Sequence, residues 1–199
     1  MDNIETICKE PGDQAFLQMT HHEVAHAIVS RLVGVPVGHF KVSQWSPVNE
    51  LDALFGGCSF CNNVPESFSG AHWHEKALIK RAGHIGETRH CATAGREPTV
   101  PSDDDNELEL LFRKHARRGE PTKEGKEEFD QFVQALDTRI TEWFNTPDIS
   151  ATFEGLVRLV IEQRIDQGDN YYACELAGTA VEDAMADLPT ARQSLIDWP

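Results

Sequence analysis

No apolar run in this chain is long enough to cross a bilayer. The longest, Leu156 to Ile161, is broken by Arg158, whereas a membrane helix needs roughly 20 apolar residues. The opening residues, Met-Asp-Asn-Ile-Glu-Thr, have neither the basic nor the apolar segment of a secretion signal. Basic residues are also scarce: 18 Lys and Arg stand against 33 Asp and Glu, a net charge of -15. Such a surface repels phosphate backbones and anionic membranes, which argues against nucleic acid as a partner and against direct membrane insertion. Cysteine is sparse and odd in number, five in 199 residues, which suits free thiols in a reducing compartment better than a disulfide framework. A cytoplasmic location is therefore expected.

Two motifs with the right letters lack the right setting. Cys58-Ser-Phe-Cys61 has metal or redox spacing, but it falls in a predicted strand, where residues three apart face opposite sides, and there is no second CxxC. Gly119-Glu-Pro-Thr-Lys-Glu-Gly125-Lys126 has the glycines of a phosphate loop misplaced by one, with Glu127 where Ser or Thr is required. It reads as a charged linker.

What is present is enough apolar content, 40% over 199 residues, for one globular domain spanning residues 1–199. Within it, His22-Glu23-Val24-Ala25-His26 lies in a predicted helix over about 14–33. At 3.6 residues per turn His22 and His26 share a face and can reach one tetrahedral zinc at about 2.0–2.1 Å. Glu23 sits one position round, placed to take a proton from a zinc-activated water rather than to coordinate. Asp13 as N-cap, Gly34 as C-terminal stop, and Phe16, Met19, Val29, Leu32 and Val33 make the segment a half-buried helix. His21 points about 100° away from His22 and is read as a non-ligand. A core or surface histidine pair is the plainer alternative.

A catalytic zinc needs a third protein ligand. The metzincin spacing would require glycine at Val29 and histidine at Leu32, and neither is there. A thermolysin-like site would take a glutamate from the next helix, Glu75 or Glu87. The run Pro101-Ser102-Asp103-Asp104-Asp105 supplies a further option, a helix start with Ser102 as N-cap and three carboxylates in the first turn.

The segment Thr20 to Gly34 resembles the zinc helix of FtsH-type peptidases, the protease part of membrane-anchored ATP-dependent degradation machines. The likeness continues in order through Pro36 to Val42, Phe55 to Phe60, the small-residue segment Ala82-Gly83-His84-Ile85-Gly86-Glu87, and Ser102-Asp103-Asp104. It covers about 14–168, leaving 169–199 as a C-terminal helical extension. The resemblance implies that Asp104 is the third ligand, and register agrees: Leu108, Leu111 and Phe112 fall four, seven and eight residues later, on the same inward face. Asp105 is the reserve. In two further respects the chain departs from the family: Ala25 stands where it usually has glycine, a position that often admits a neighbouring strand closely, and the peptidase region is expected to work without a preceding ATPase module.

The expected architecture is mainly α, with a small β-hairpin, about 37–44 paired with 54–61, beside the zinc helix. Its edge could hold an extended peptide by strand addition. Further helices are predicted at about 70–91, 103–118, 123–145, 149–165 and 171–187. The first carries Leu78, Ile79, Ala82 and Ile85 inward, with His84 and Glu87 as candidate partners for the zinc histidines. The next but one carries Phe129, Phe132, Val133, Leu136, Ile140 and Trp143. Pro147 breaks it and Asp148 caps its successor. The last buries Leu176, Ala180, Val181 and Ala184. The resulting expectation is a zinc metalloendopeptidase that hydrolyses extended or unfolded polypeptides, with His22, His26 and Asp104 as metal ligands and Glu23 as general base. The alternative is an inactive zinc-binding adaptor. A second copy of the chain or a separate partner protein is left open.

Overall fold

The computed structural model describes residues 11–44, 73–95, 103–115, 123–166 and 172–189. Its elements are α1 (Pro11–Leu32), β1 (His39–Gln44), α2 (Trp73–Ala94), α3 (Asp103–His115), α4 (Lys123–Phe144), α5 (Pro147–Glu162), β2 (Ile165–Asp166), β3 (Tyr172–Ala177) and α6 (Gly178–Ala184). The protein is mainly helical with a small antiparallel sheet, as the apolar periodicity predicts. No helix among the described residues is long and apolar enough to cross a membrane.

Helix α1 is more than half-buried. Every residue from Glu23 to Ser30 is buried, because α2, α5 and β1 all pack against it. It begins at Pro11, whose fixed φ suits a first helical position, so Asp13 lies inside the first turn instead of capping it. Its end is as expected. Gly34 takes a positive φ of 78°, its N–H donates to the Arg31 carbonyl at 3.0 Å, and the Val35 N–H donates to Ser30 at 2.8 Å. This pair of bonds closes the helix with a left-handed residue that glycine adopts without steric cost.

The core expected from α2 and α4 is largely present. Leu78, Ile79, Ala82, Phe132, Leu136 and Ile140 are buried, while Ile85, Phe129, Val133 and Trp143 pack on the rim. Helix α5 starts at Pro147 with Thr146 as its N-cap, so Asp148 stands in the first turn, where a carboxylate meets the positive helix end. Ile165 leaves the helix for β2.

The predicted helix over 171–187 is a strand and then a short helix. In β3 the burial alternates, Cys174 and Leu176 in, Glu175 and Ala177 out, and the strand pairs antiparallel with β1, Phe40 opposite Leu176 and Val42 opposite Cys174. Glu, Leu and Ala favour helix in isolation, but cross-strand pairing over a buried face outweighs differences of a few tenths of a kcal/mol per residue. Ala180 and Ala184 are consequently exposed, and Val181 and Met185 face the core. The strand order is β1-β3-β2, so among the described residues β1 is an edge. Its expected hairpin partner at 54–61, with Cys58 and Cys61, lies outside the described residues, as do Ser102 and the turn near Gly119. Cys91 and Cys174 are buried free thiols, and burial pushes the Cys174 thiol up to about 11.

Candidate metal centre

One turn of α1 separates His22 from His26, and their rings stand edge to face with centroids 4.7 Å apart. Each ring is held by its Nδ1. That of His26 donates to the Ile79 carbonyl at 2.6 Å, and that of His22 faces the buried carboxylate of Glu87 at 3.5 Å. Both partners only accept, so in the neutral rings the Nδ1 atoms carry the protons and the Nε2 atoms carry lone pairs. Those two lone pairs converge on Asp104. Its Oδ2 lies 3.2 Å from His22 Nε2 and 3.1 Å from His26 Nε2. Ligand atoms bound tetrahedrally at about 2.0–2.1 Å lie about 3.3 Å from one another, so the three atoms have the spacing of a coordination sphere.

Three electron-pair donors this close repel one another unless a cation joins them. In the metal-free protein that cation is a proton. Burial works against a charged His22, but the Asp104 and Glu87 carboxylates, with Glu23 nearby, outweigh it and push its pKa up to about 10. Burial likewise works against the charged form of Asp104, but there the two histidines, with Lys80, outweigh it and hold the carboxyl well below the usual range. A metal must expel the His22 proton, and a raised pKa means that this proton is present throughout the neutral range. Zinc affinity is therefore expected to rise about tenfold per pH unit from pH 6 to 9, levelling near 10, with close to one proton released per metal at pH 7. Isothermal titration in buffers of different ionisation enthalpy measures both.

Helix α2 leaves room for this geometry by having no side chain where it passes the histidines. A Cβ on Gly83 would fall 2.4 Å from His22 Nε2 and 2.5 Å from His26 Nε2, and one on Gly86 would fall 2.6 Å from the Ala25 methyl. Gly86 of α2 lies against Ala25 and leaves room for its methyl. The donor set, the spacing and the bare face of Gly83 all fit a divalent ion of the zinc type.

Structure also separates the three consecutive aspartates. The other oxygen of Asp104, Oδ1, accepts from Lys80 Nζ at 2.8 Å. Asp105 is occupied elsewhere, by Arg81 Nη1 at 2.8 Å, while the same guanidinium grips Asp137 of α4 at 2.6 and 3.0 Å. Asp103 opens the helix. Register had placed Leu108, Leu111 and Phe112 inward with Asp104, and Leu108 and Phe112 are buried, with Leu111 packed against them.

The glutamates divide similarly. Glu23 is 5% exposed, and its carboxylate, with one ring nitrogen of each of His22 and His26, forms a group within 4.8 Å that could hold a metal. It stands near the pair, whereas Asp104 touches both. Glu87 stays behind His22, on the Nδ1 side of the ring, where Gln18 Nε2 donates to it at 2.6 Å. Glu75 is eight residues, about 12 Å of helix, before Gly83. His84, half-buried, lies among the charges of Arg81, Asp105 and Asp137 and is not joined to the histidine pair. His21 turns away. Its Nδ1–H donates to Leu17 at 2.8 Å, its ring stacks on His90 at 4.4 Å, and burial lowers its pKa to about 4, so it is a neutral core residue.

Sequence reasoning missed Gln18, Lys80 and the Ile79 carbonyl. The signal for Lys80 was the basic pair Lys80-Arg81 facing the acidic pair Asp104-Asp105, a complementarity that shows once α2 and α3 are known to pack together. Comparison with protein-family models and with curated proteins found no match.

Proposed function

We propose that this protein is a zinc metalloendopeptidase. The observation that carries the reading is the meeting of His22 Nε2, His26 Nε2 and Asp104 Oδ2 at 3.1–3.2 Å, with a buried carboxylate, Glu23, beside them. When bound there, zinc would supply Lewis acidity, polarising a peptide carbonyl and lowering a water's pKa from about 15.7 to near 7. Glu23 takes the proton of the attacking water and passes it to the leaving amine. A purely structural metal site has no use for such a base. The residues resemble FtsH-type peptidases in the segments quoted above, and that likeness supports the same chemistry.

The substrate class follows from the sheet beside α1: β1 packs on that helix, and an extended peptide added along an edge strand there would present backbone to the site with little demand on side chains. Folded substrates cannot lie this way, so the substrates are flexible or unfolded chains. The buried free thiols Cys91 and Cys174 suit the reducing cytoplasm.

The purified chain is expected to carry about one zinc and to cut an unfolded polypeptide such as reduced casein, at a rate that ATP does not change. A chelator should stop the cleavage and added zinc restore it. Cleavage that persists after complete removal of metal would overturn the reading.

A further inference from the structure

The third ligand hangs from a short helix, and its carboxylate turns about a broad two-fold torsion with little intrinsic preference for one oxygen over the other. Something has to stop that rotation. Among the described residues the cation that reaches Oδ1 is Lys80, at 2.8 Å, and the same ammonium is held from its other side by Glu107 Oε2, also at 2.8 Å. Resting on the zinc reading above, we propose that Lys80 is a positioning residue for Asp104: it pins Oδ1 outward so that Oδ2 alone meets the two histidines.

The adjacent arginine has a different task, and the contrast carries the assignment. Arg81 spends its planar fork on Asp137 and Asp105, which ties α2, α3 and α4 together without touching the ligand. Lys80 touches the ligand and one exposed glutamate of the same helix. Loss of Arg81 loosens how the helices dock, while loss of Lys80 frees a single carboxylate.

A cation beside a metal site should also weaken metal binding by repulsion. Here that effect is small: the Lys80 side chain is 37% exposed and its charge is shared with Glu107, so water and the second carboxylate screen it. Removing the outer partner of a ligand typically costs 10–100-fold in metal affinity. Positioning outweighs repulsion.

The test is zinc affinity, measured by competition with a chromophoric chelator, together with the visible absorption of the Co2+-loaded protein, which reports ligand geometry independently of any activity. Lys80→Met and Lys80→Ser are expected to bind zinc 10–100-fold more weakly with an altered Co2+ spectrum. Lys80→Arg, which retains a donor, should bind within about threefold of wild type with the native spectrum. Arg81→Met should melt earlier yet keep the native spectrum. If Lys80→Met and Lys80→Ser bind zinc as tightly as wild type, or more tightly, the proposal is wrong. A loss in Arg81→Met equal to that in Lys80→Met, with the same spectral change, would equally overturn it in favour of helix docking. Absence of zinc binding in the wild type would instead remove the metal reading on which it rests.

Discussion

Glu23→Gln is expected to remain folded and metal-loaded while hydrolysing unfolded polypeptide about 10²–10⁴-fold more slowly, the usual worth of a positioned general base. The substitution is nearly isosteric, so the buried position of Glu23 keeps its packing, and the groups that meet one another, His22, His26 and Asp104, are unchanged. What disappears is the carboxylate's capacity to accept a proton from water. A rate loss of this size corresponds to about 3–5 kcal/mol of transition-state stabilisation, far more than a neutral change at one buried side chain should produce through stability alone. The measurement pairs metal content by atomic absorption with initial rates on an unfolded substrate. Should wild type and Glu23→Gln prove equally inert while both hold zinc, the zinc-binding adaptor replaces the enzyme.

The ligand set predicts a second large effect, with a sharp contrast inside one turn of helix. His22→Ala and His26→Ala should each abolish stoichiometric zinc, because two remaining protein ligands do not retain the ion through gel filtration. Asp104→Asn should reduce zinc content severely, replacing an anionic ligand that approaches both histidines with a neutral amide. Asp105→Asn should keep its zinc and lose thermal stability, since its partner is Arg81 and not the metal site. Gly83→Ala belongs with the ligand variants despite touching no charge. Alanine is intrinsically better in a helix by about 1 kcal/mol, but its methyl would stand 2.4–2.5 Å from both ligand nitrogens, and the clash decides the sign. Equal zinc content in the Asp104→Asn and Asp105→Asn proteins would show that the acidic turn serves the helix dipole instead of the metal.

Most of this site could be read along the chain because its chemistry is local. An i, i+4 histidine pair with a glutamate between depends on helical geometry alone, and the stripe of Leu108, Leu111 and Phe112 already tied Asp104 to the inward face. The helices α1 to α5 were legible for the same reason: their apolar periodicity, and stops such as Gly34 and Pro147, act within a few residues of themselves.

What the sequence by itself determined is therefore the helical class, the histidine pair, its flanking glutamate and, by register, Asp104 ahead of the other carboxylates. Only the tertiary structure decided which groups surround them, because those contacts join residues far apart in the chain. Asp104 faces the histidines since Arg81 occupies Asp105, Glu87 stands behind His22 since α2 runs along α1, and Gly83 is bare because two rings need its space. The same holds for residues 172–177. Their helix-forming letters compete with pairing to β1, and a partner more than a hundred residues away wins because buried cross-strand contacts exceed what local propensity supplies.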